Sequence, residues 1–214
     1  MTTILLIRHG ESAANRDDMF AGNYDAELMD RGLQQAKKSA EYIKNNYRVD
    51  AVYASDLKRA YNTGKCVADA FKISVEPSVK LREIDAGDWD GVRFSEIYER
   101  WPNEFTTWMN DLSHGACPGG ETIQELGARV FDELERIASL NEGKTVVVAS
   151  HATPVRASYT LAKYGTVEKI DEIPWPSNAS VSVLYYDNGS WSCGEYSIDE
   201  HMGELRTFLP EDVE

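Results

Sequence analysis

Two histidines in this chain stand at the exits of its two most apolar short segments. Ile4-Leu5-Leu6-Ile7 runs into Arg8-His9-Gly10-Glu11-Ser12, and Val146-Val147-Val148-Ala149 runs into Ser150-His151-Ala152. A neutral imidazole nitrogen is a nucleophile, and a second imidazole can hold or pass a proton. The two apolar runs read as buried strands, and in open α/β sheets ligands bind at the carboxyl ends of strands. Both histidines, two of only four in the chain, are therefore expected to face one crevice.

The neighbouring residues are those a phosphoryl-transfer site needs: a nucleophile, positive groups to gather the equatorial oxygens, and an acid to protonate the leaving oxygen. Arg8 adjoins His9. Arg59, in Ser55-Asp56-Leu57-Lys58-Arg59-Ala60, falls on the first turn of the helix expected after the second strand. There its planar fork and the helix's partial positive end both suit phosphate. Glu83, in Leu81-Arg82-Glu83-Ile84-Asp85, is a carboxylate before a Gly-rich stretch; spacing alone does not separate it from Asp85 or Asp88.

The elements that must position these groups alternate along the chain. Thr3 to Ile7 is a buried strand, and Leu33, Ala36, Ala40 and Ile43 recur inward at helical spacing. Ala51 to Ala54 is a second short strand, followed by a helix with Leu57, Ala60, Tyr61, Gly64, Val67, Ala68 and Phe71 on its inner face. Thr122 with Glu125 forms a capping box that opens a helix burying Ile123, Leu126, Val130, Leu134 and Ile137. Thr145 to Ala149 is the clearest buried strand, and the next helix is expected to begin at Pro154, a residue suited to the first helical position. Val181 to Tyr186, the turn Asn188-Gly189, and Trp191 to Ser197 read as a hairpin. This pattern predicts one α/β domain over residues 1–214, a three-layer α/β/α sandwich with a mostly parallel sheet. Two short amphipathic helices split by Pro102 interrupt it, a helical cap insertion at about 92–118.

Arg8-His9-Gly10-Glu11-Ser12 with Asn15 resembles the signature of the histidine phosphatase superfamily, the phosphoglycerate mutase-like family. Four more matches follow in order: Ser55 to Thr63; Leu81-Arg82-Glu83 with Gly87, Trp89 and Gly91; Pro118-Gly119-Gly120-Glu121-Thr122; and Val148-Ala149-Ser150-His151. The resemblance implies that His9 attacks phosphorus and becomes phosphohistidine. It implies that Arg8, Arg59 and His151 hold the phosphoryl group, with Asn15 touching it or its neighbour. It also picks Glu83 over the nearby aspartates as the group that protonates the leaving alcohol and then activates water. No metal and no organic cofactor is implied, and the partner is a small phosphorylated substrate.

The chain departs from the family pattern in places. Ala152 replaces the glycine usual after the second histidine, which restricts an amide that often meets phosphate. Glu27 and Met29 replace a proline and a capping threonine, so Asp30 is expected to cap the next helix. Ala86 stands where mutases carry a tyrosine, and Arg93-Phe94 fall where they carry a lysine that grips the substrate carboxylate. A phosphomonoesterase is therefore expected ahead of a cofactor-dependent phosphoglycerate mutase, with selectivity set by the cap and the loop around Tyr24. A non-catalytic phosphate sensor is disfavoured because every member of the catalytic set is kept.

Composition narrows the partners. With 36 acidic against 22 basic residues the formal net charge is −14, which disfavours nucleic acid and anionic membranes, so phosphate must be met by a local cationic cluster. The three cysteines are far apart and in no metal-ligand spacing, which argues against a disulfide framework. The N-terminal apolar run is too short for a signal peptide, no membrane span is visible, and a cytoplasmic protein is expected. His114, His201 and the acidic tail Glu211, Asp212, Glu214 read as solvated surface, and nothing in the sequence sets an oligomeric state.

Overall fold

The computed structural model describes residues 1–207. Its elements in chain order are β1 (Thr2–Arg8), α1 (Ala13–Arg16), β2 (Met19–Phe20), α2 (Asp30–Asn46), β3 (Ala51–Ala54), α3 (Lys58–Phe71) and β4 (Val75–Pro77). They continue with β5 (Val92–Arg93), α4 (Phe94–Arg100), α5 (Pro102–Asn110), α6 (Ile123–Leu140), β6 (Thr145–Ser150), α7 (Ala152–Tyr164), β7 (Val181–Asp187) and β8 (Ser190–Cys193). The six-stranded sheet has the order β4-β3-β6-β1-β7-β8. The first four strands of that order run parallel, and β7 and β8 form an antiparallel edge.

The two central strands carry unbroken apolar runs, Ile4 to Ile7 and Val146 to Ala149, because both faces of the sheet are covered. Their side chains alternate between two cores, as a period of two demands. Ile4, Leu6, Val146 and Val148 share one core with Leu126, Leu134, Val155 and Tyr159 of α6 and α7. Leu5, Ile7 and Val147 share the other with Ala40, Ile43, Val67 and Ala68 of α2 and α3. The result is the three-layer arrangement that the alternation of elements predicts. Among the described residues no helix is long and apolar enough to cross a membrane.

Local signals in the sequence act where they fall. Thr122 and Glu125 make the reciprocal capping box of α6, and Asn188 and Gly189 both adopt positive φ in the hairpin turn. Four local expectations need correction. Helix α7 begins at Ala152, not Pro154, and Pro154 sits inside the first turn, where its missing N–H has no intrahelical partner to lose. Met29, not Asp30, is the N-cap of α2 and makes no side-chain cap bond; Asp30 lies inside the first turn, where its charge suits the helix dipole. Leu33 is exposed. Strand β8 ends at Cys193 because Val183 bonds to both Gly194 and Glu195, a bulge of two residues against one, before Ile198 returns to Val181.

Helices α4 and α5 with the turn at 112–114 carry the cap's aromatic residues. Ile97, Trp108 and Leu112 are buried there with Trp89 and Phe20. The short β2–β5 ladder ties this segment to the loop that follows α1.

The loop after β1 is held in a tight seat. The Gly10 amide donates to Thr63 Oγ1 at 3.1 Å, and the Glu11 amide donates to Gln35 Oε1 at 2.8 Å. A Cβ on Gly10 would fall inside the contact radius of the Gly32 carbonyl oxygen, backbone against backbone. Gly10→Ala is therefore expected to destabilise the protein by about 1–3 kcal/mol through overpacking, measured by denaturant unfolding.

Candidate active site

The pairing of β1 with β6 places the two histidines. Arg8 lies opposite Ser150 in a parallel ladder, and the His9 amide donates to the Ser150 carbonyl at 2.9 Å. One residue further along each strand, the rings of His9 and His151 meet edge to face with centroids 5.2 Å apart. Strand β3 ends at the same level, with the Ser55 amide on the Ala149 carbonyl at 2.9 Å. Ser55 Oγ lies 2.8 Å from His151 Nε2 and takes the Leu57 amide at 3.3 Å.

His9 Nδ1 lies 2.7 Å from the Gly10 carbonyl. A carbonyl oxygen only accepts, so Nδ1 carries the proton and Nε2 keeps the lone pair. Burial, with the Arg59 and Arg8 charges added, holds His9 well below the ordinary histidine value of 6.5. His151 is held down in the same way, by burial first and then by Arg59.

Arg8 and Arg59 are tethered but not saturated. Arg8 Nη1 donates to the Pro176 carbonyl, and Arg59 donates to the carbonyls of Tyr24 and Gly22, each at 2.7 Å. Yet Arg8 Nε, Arg59 Nε and His151 Nδ1 are buried with no hydrogen-bond partner. Burial lowers the Arg8 pKa to about 10, with Glu83 pulling it back up, so the guanidinium stays charged at neutral pH.

Glu83 is the carboxylate that faces this cluster. Asp85 and Asp88 are exposed and outside the cavity lining. Glu83 accepts the Ile84 amide at 2.9 Å and the Thr153 amide, from the first turn of α7, at 3.4 Å. Burial nevertheless raises its pKa above the ordinary carboxylate value, outweighing those bonds and Arg59.

These groups open into a cavity of about 570 Å³. Arg8, His9, Asn15, Arg59 and Glu83 line it; His151 is fully buried behind His9 and is not on its surface. Asn15 is the reciprocal partner of the N-cap Ser12 in the capping box of α1, its Oδ1 taking the Ser12 amide at 3.0 Å and the Ser12 hydroxyl at 2.9 Å. Ala152 has no positive φ, so an alanine suits the opening residue of α7. Tyr24 contributes its carbonyl to Arg59, and its exposed ring does not line the cavity. His114 is exposed and pairs with Asp111, whereas His201 is half-buried and stacks on Tyr42 at 4.6 Å, contrary to a solvated surface position. The tail residues Glu211, Asp212 and Glu214 lie outside the described residues. All three cysteines are free, and among the described residues no group of three His, Cys, Asp or Glu side chains is placed to hold a metal ion.

Residues 4–199 match the histidine phosphatase superfamily (branch 1). The chain belongs to that superfamily. Phosphoserine phosphatase 1 of Hydrogenobacter thermophilus is 32% identical over 208 residues, covering 96% of each chain. The metal-independent phosphoserine phosphatase of Arabidopsis thaliana is 31% identical over 208 residues, 96% of this chain and 85% of that one. The solved structure of a phosphoserine phosphatase mutant from Entamoeba histolytica, in complex with phosphoserine, matches with a TM-score of 0.82 at 25% identity, over 94% of this chain and 100% of that one.

Three supports of the superfamily site carry no sequence signal strong enough to read in advance. Asn178 lines the cavity and donates Nδ2 to the His9 carbonyl at 3.1 Å; it lies between elements, where no periodicity marks it. Thr153 meets Glu83 through its amide and its hydroxyl, on the opening turn of a helix whose start the sequence places at Pro154. Arg129 on α6 forks onto Glu121 through Nε and Nη2, both at 2.7 Å, and donates to the carbonyls of Lys80, Arg82 and Glu83. It thereby fixes the backbone that carries Glu83. Arg129→Met is expected to cost roughly 2–4 kcal/mol of stability, and Arg129→Lys to recover less than half, since one ammonium cannot make the fork. Denaturant unfolding of the three proteins checks both.

Proposed function

We propose that this chain is a phosphomonoesterase of the histidine acid type, acting on small phosphorylated metabolites through a phosphohistidine on His9, with no metal or organic cofactor. The observation that carries this reading is the set of unpartnered buried atoms around His9: Arg8 Nε, Arg59 Nε and His151 Nδ1. A buried polar group without a partner costs about 1–3 kcal/mol, and two of these, on Arg8 and Arg59, belong to residues that line the cavity together with His9, a cradle for an anion. Phosphate oxygens in the cavity would take charge-assisted hydrogen bonds from the two arginines that line it. The names of the phosphatase relatives described above support the same reading.

The steps follow from the geometry. His9 Nε2 attacks phosphorus, the ester P–O bond breaks, and Glu83 gives its proton to the departing alkoxide. Glu83, now a carboxylate, takes a proton from water, whose oxygen attacks the phosphohistidine. The P–N bond breaks, inorganic phosphate leaves, and both side chains are restored. The Ser55 hydroxyl can donate to His151 Nε2, which leaves the proton on Nδ1 of the imidazole packed against His9. The opening turn of α7 adds its partial positive charge near Glu83. We assign the whole chain to this one catalytic unit, the segment at 92–118 serving as its cap.

A mutase must retain its monophosphate while rephosphorylating it. Ala86 is fully buried, and Arg93 donates to the Asp17 carbonyl outside the cavity lining. Neither position supplies a grip for a carboxylate, which favours hydrolysis.

His9→Ala is expected to abolish phosphate release while leaving the fold intact, and excess chelator is expected to leave wild-type activity unchanged. Turnover of His9→Ala within tenfold of wild type, or loss on chelation restored by a divalent cation, would sink the reading. With 3-phosphoglycerate and its bisphosphate primer the expected product is free phosphate; primer-dependent isomerisation without phosphate release would promote the mutase.

The pH dependence has a definite sign. Glu83 must start protonated, and its raised pKa keeps it so beyond the ordinary carboxylate range. His9 must start neutral, and it stays so to well below 6.5. The rate is therefore highest on the acidic side of neutrality and falls as rising pH takes the proton from Glu83. Glu83→Gln is expected to lose about 10²–10⁴ in rate on alkyl phosphates, and far less on an ester with an acidic phenol, measured by single-turnover kinetics.

A further inference from the structure

We infer that the alcohol half of the substrate is large, apolar and free of negative charge. This rests on the phosphomonoesterase reading and concerns the part of the cavity beyond the phosphoryl cluster. A cavity of about 570 Å³ lies in the size range that takes drug-sized ligands, about 300–1,000 Å³. A phosphoryl group on a three-carbon chain leaves most of it unfilled.

The walls of that remainder are aromatic and aliphatic. Phe20, Phe94, Phe105, Trp108 and Met109 line it on the cap side, and Trp175 lines it opposite. The cap rings brace one another, Phe20 against Trp108 at 5.1 Å and Phe94 against Phe105 at 6.1 Å. Trp175 is held by the Arg156 guanidinium, 4.4 Å from its ring centre, and Arg156 is anchored in turn on the Ile173 carbonyl. Rings fixed in this way present apolar surface without the entropic cost of ordering them on binding.

The charges point the same way. Among the described residues lining the cavity, Arg8 and Arg59 are the cations, and both belong to the phosphoryl cluster. The remaining charged side chains of the lining are Glu83 and, exposed, Asp18. Residues 208–214 contain no lysine or arginine. A carboxylate on the alcohol half would lose water without gaining a cation and would meet Asp18. An amino-acid or glycerate ester is thus a poor fit for this cavity, although relatives are named for phosphoserine.

The test compares esters of primary alcohols, so that leaving-group acidity is matched: 2-phenylethyl phosphate, O-phosphoserine and 3-phosphoglycerate. Wild-type kcat/KM is expected to favour the phenylethyl ester by about tenfold or more, the range set by one to a few buried methylenes. Met109→Ala, an exposed position whose truncation spares the cap core, and Phe105→Ala are each expected to shrink that ratio. Asp18→Asn is expected to raise 3-phosphoglycerate relative to the phenylethyl ester. O-phosphoserine or 3-phosphoglycerate turned over as well as the phenylethyl ester would overturn the inference. If no ester were hydrolysed, the phosphatase reading would fail instead, and calorimetric binding would still decide the subsite. Phenylethylphosphonate should then bind more tightly than 2-amino-4-phosphonobutanoate, and the reverse order would refute the apolar assignment.

Discussion

The register between two parallel strands is the constraint on which the site depends. Arg8 stands opposite Ser150, so the residues that follow, His9 and His151, leave the sheet side by side. A slip of one residue in this ladder would turn every side chain to the wrong face, exchanging the Ile4–Leu6 core with the Leu5–Ile7 core. The same apolar packing that stabilises the sheet thus also fixes the spacing of His9 and His151. Strand β3 joins at the same level and brings Ser55, and through α3, Arg59.

Burial then tunes what the register assembles. Two arginines, two imidazoles and a carboxylate are nearly or fully removed from water in one place. Desolvation favours the neutral form of the histidines and raises Glu83 above the ordinary carboxylate value, so the same burial acts on both kinds of group. The Gly10 carbonyl selects the His9 tautomer, and Arg129 holds the backbone at Glu83. The net negative surface does not oppose this, because the cationic groups lie inside the cluster and act at short range.

Much of this was legible from residues alone. The two central strands carry unbroken apolar runs, which mark them as buried on both faces, and a histidine follows each strand. Arg59 could be placed at a helix start from Ala51–Ala54 and the apolar face beyond it. Glu83 could not be told from Asp85 or Asp88 by spacing; only the family resemblance separated them, and in the structure burial does so. Tertiary supports left no trace, since Asn178 sits in a loop and Arg129 on the polar side of an amphipathic pattern. The errors at α2 and α7 have one cause: capping preferences are worth about 1 kcal/mol and yield to tertiary constraints, here Met29 bonded to the Glu11 carbonyl and His151 to Ser55.

The central claim is that His9 Nε2 is the atom that takes the phosphoryl group. The direct measurement is to trap the phosphoenzyme by rapid quench during turnover, map the acid-labile, base-stable phosphoryl group by peptide mass, and assign the ring nitrogen by phosphorus NMR. The account predicts phosphorylation on the peptide containing His9, at Nε2, since Nδ1 is committed to the Gly10 carbonyl. Phosphate on His151, on a carboxylate, or on His9 Nδ1 would contradict it.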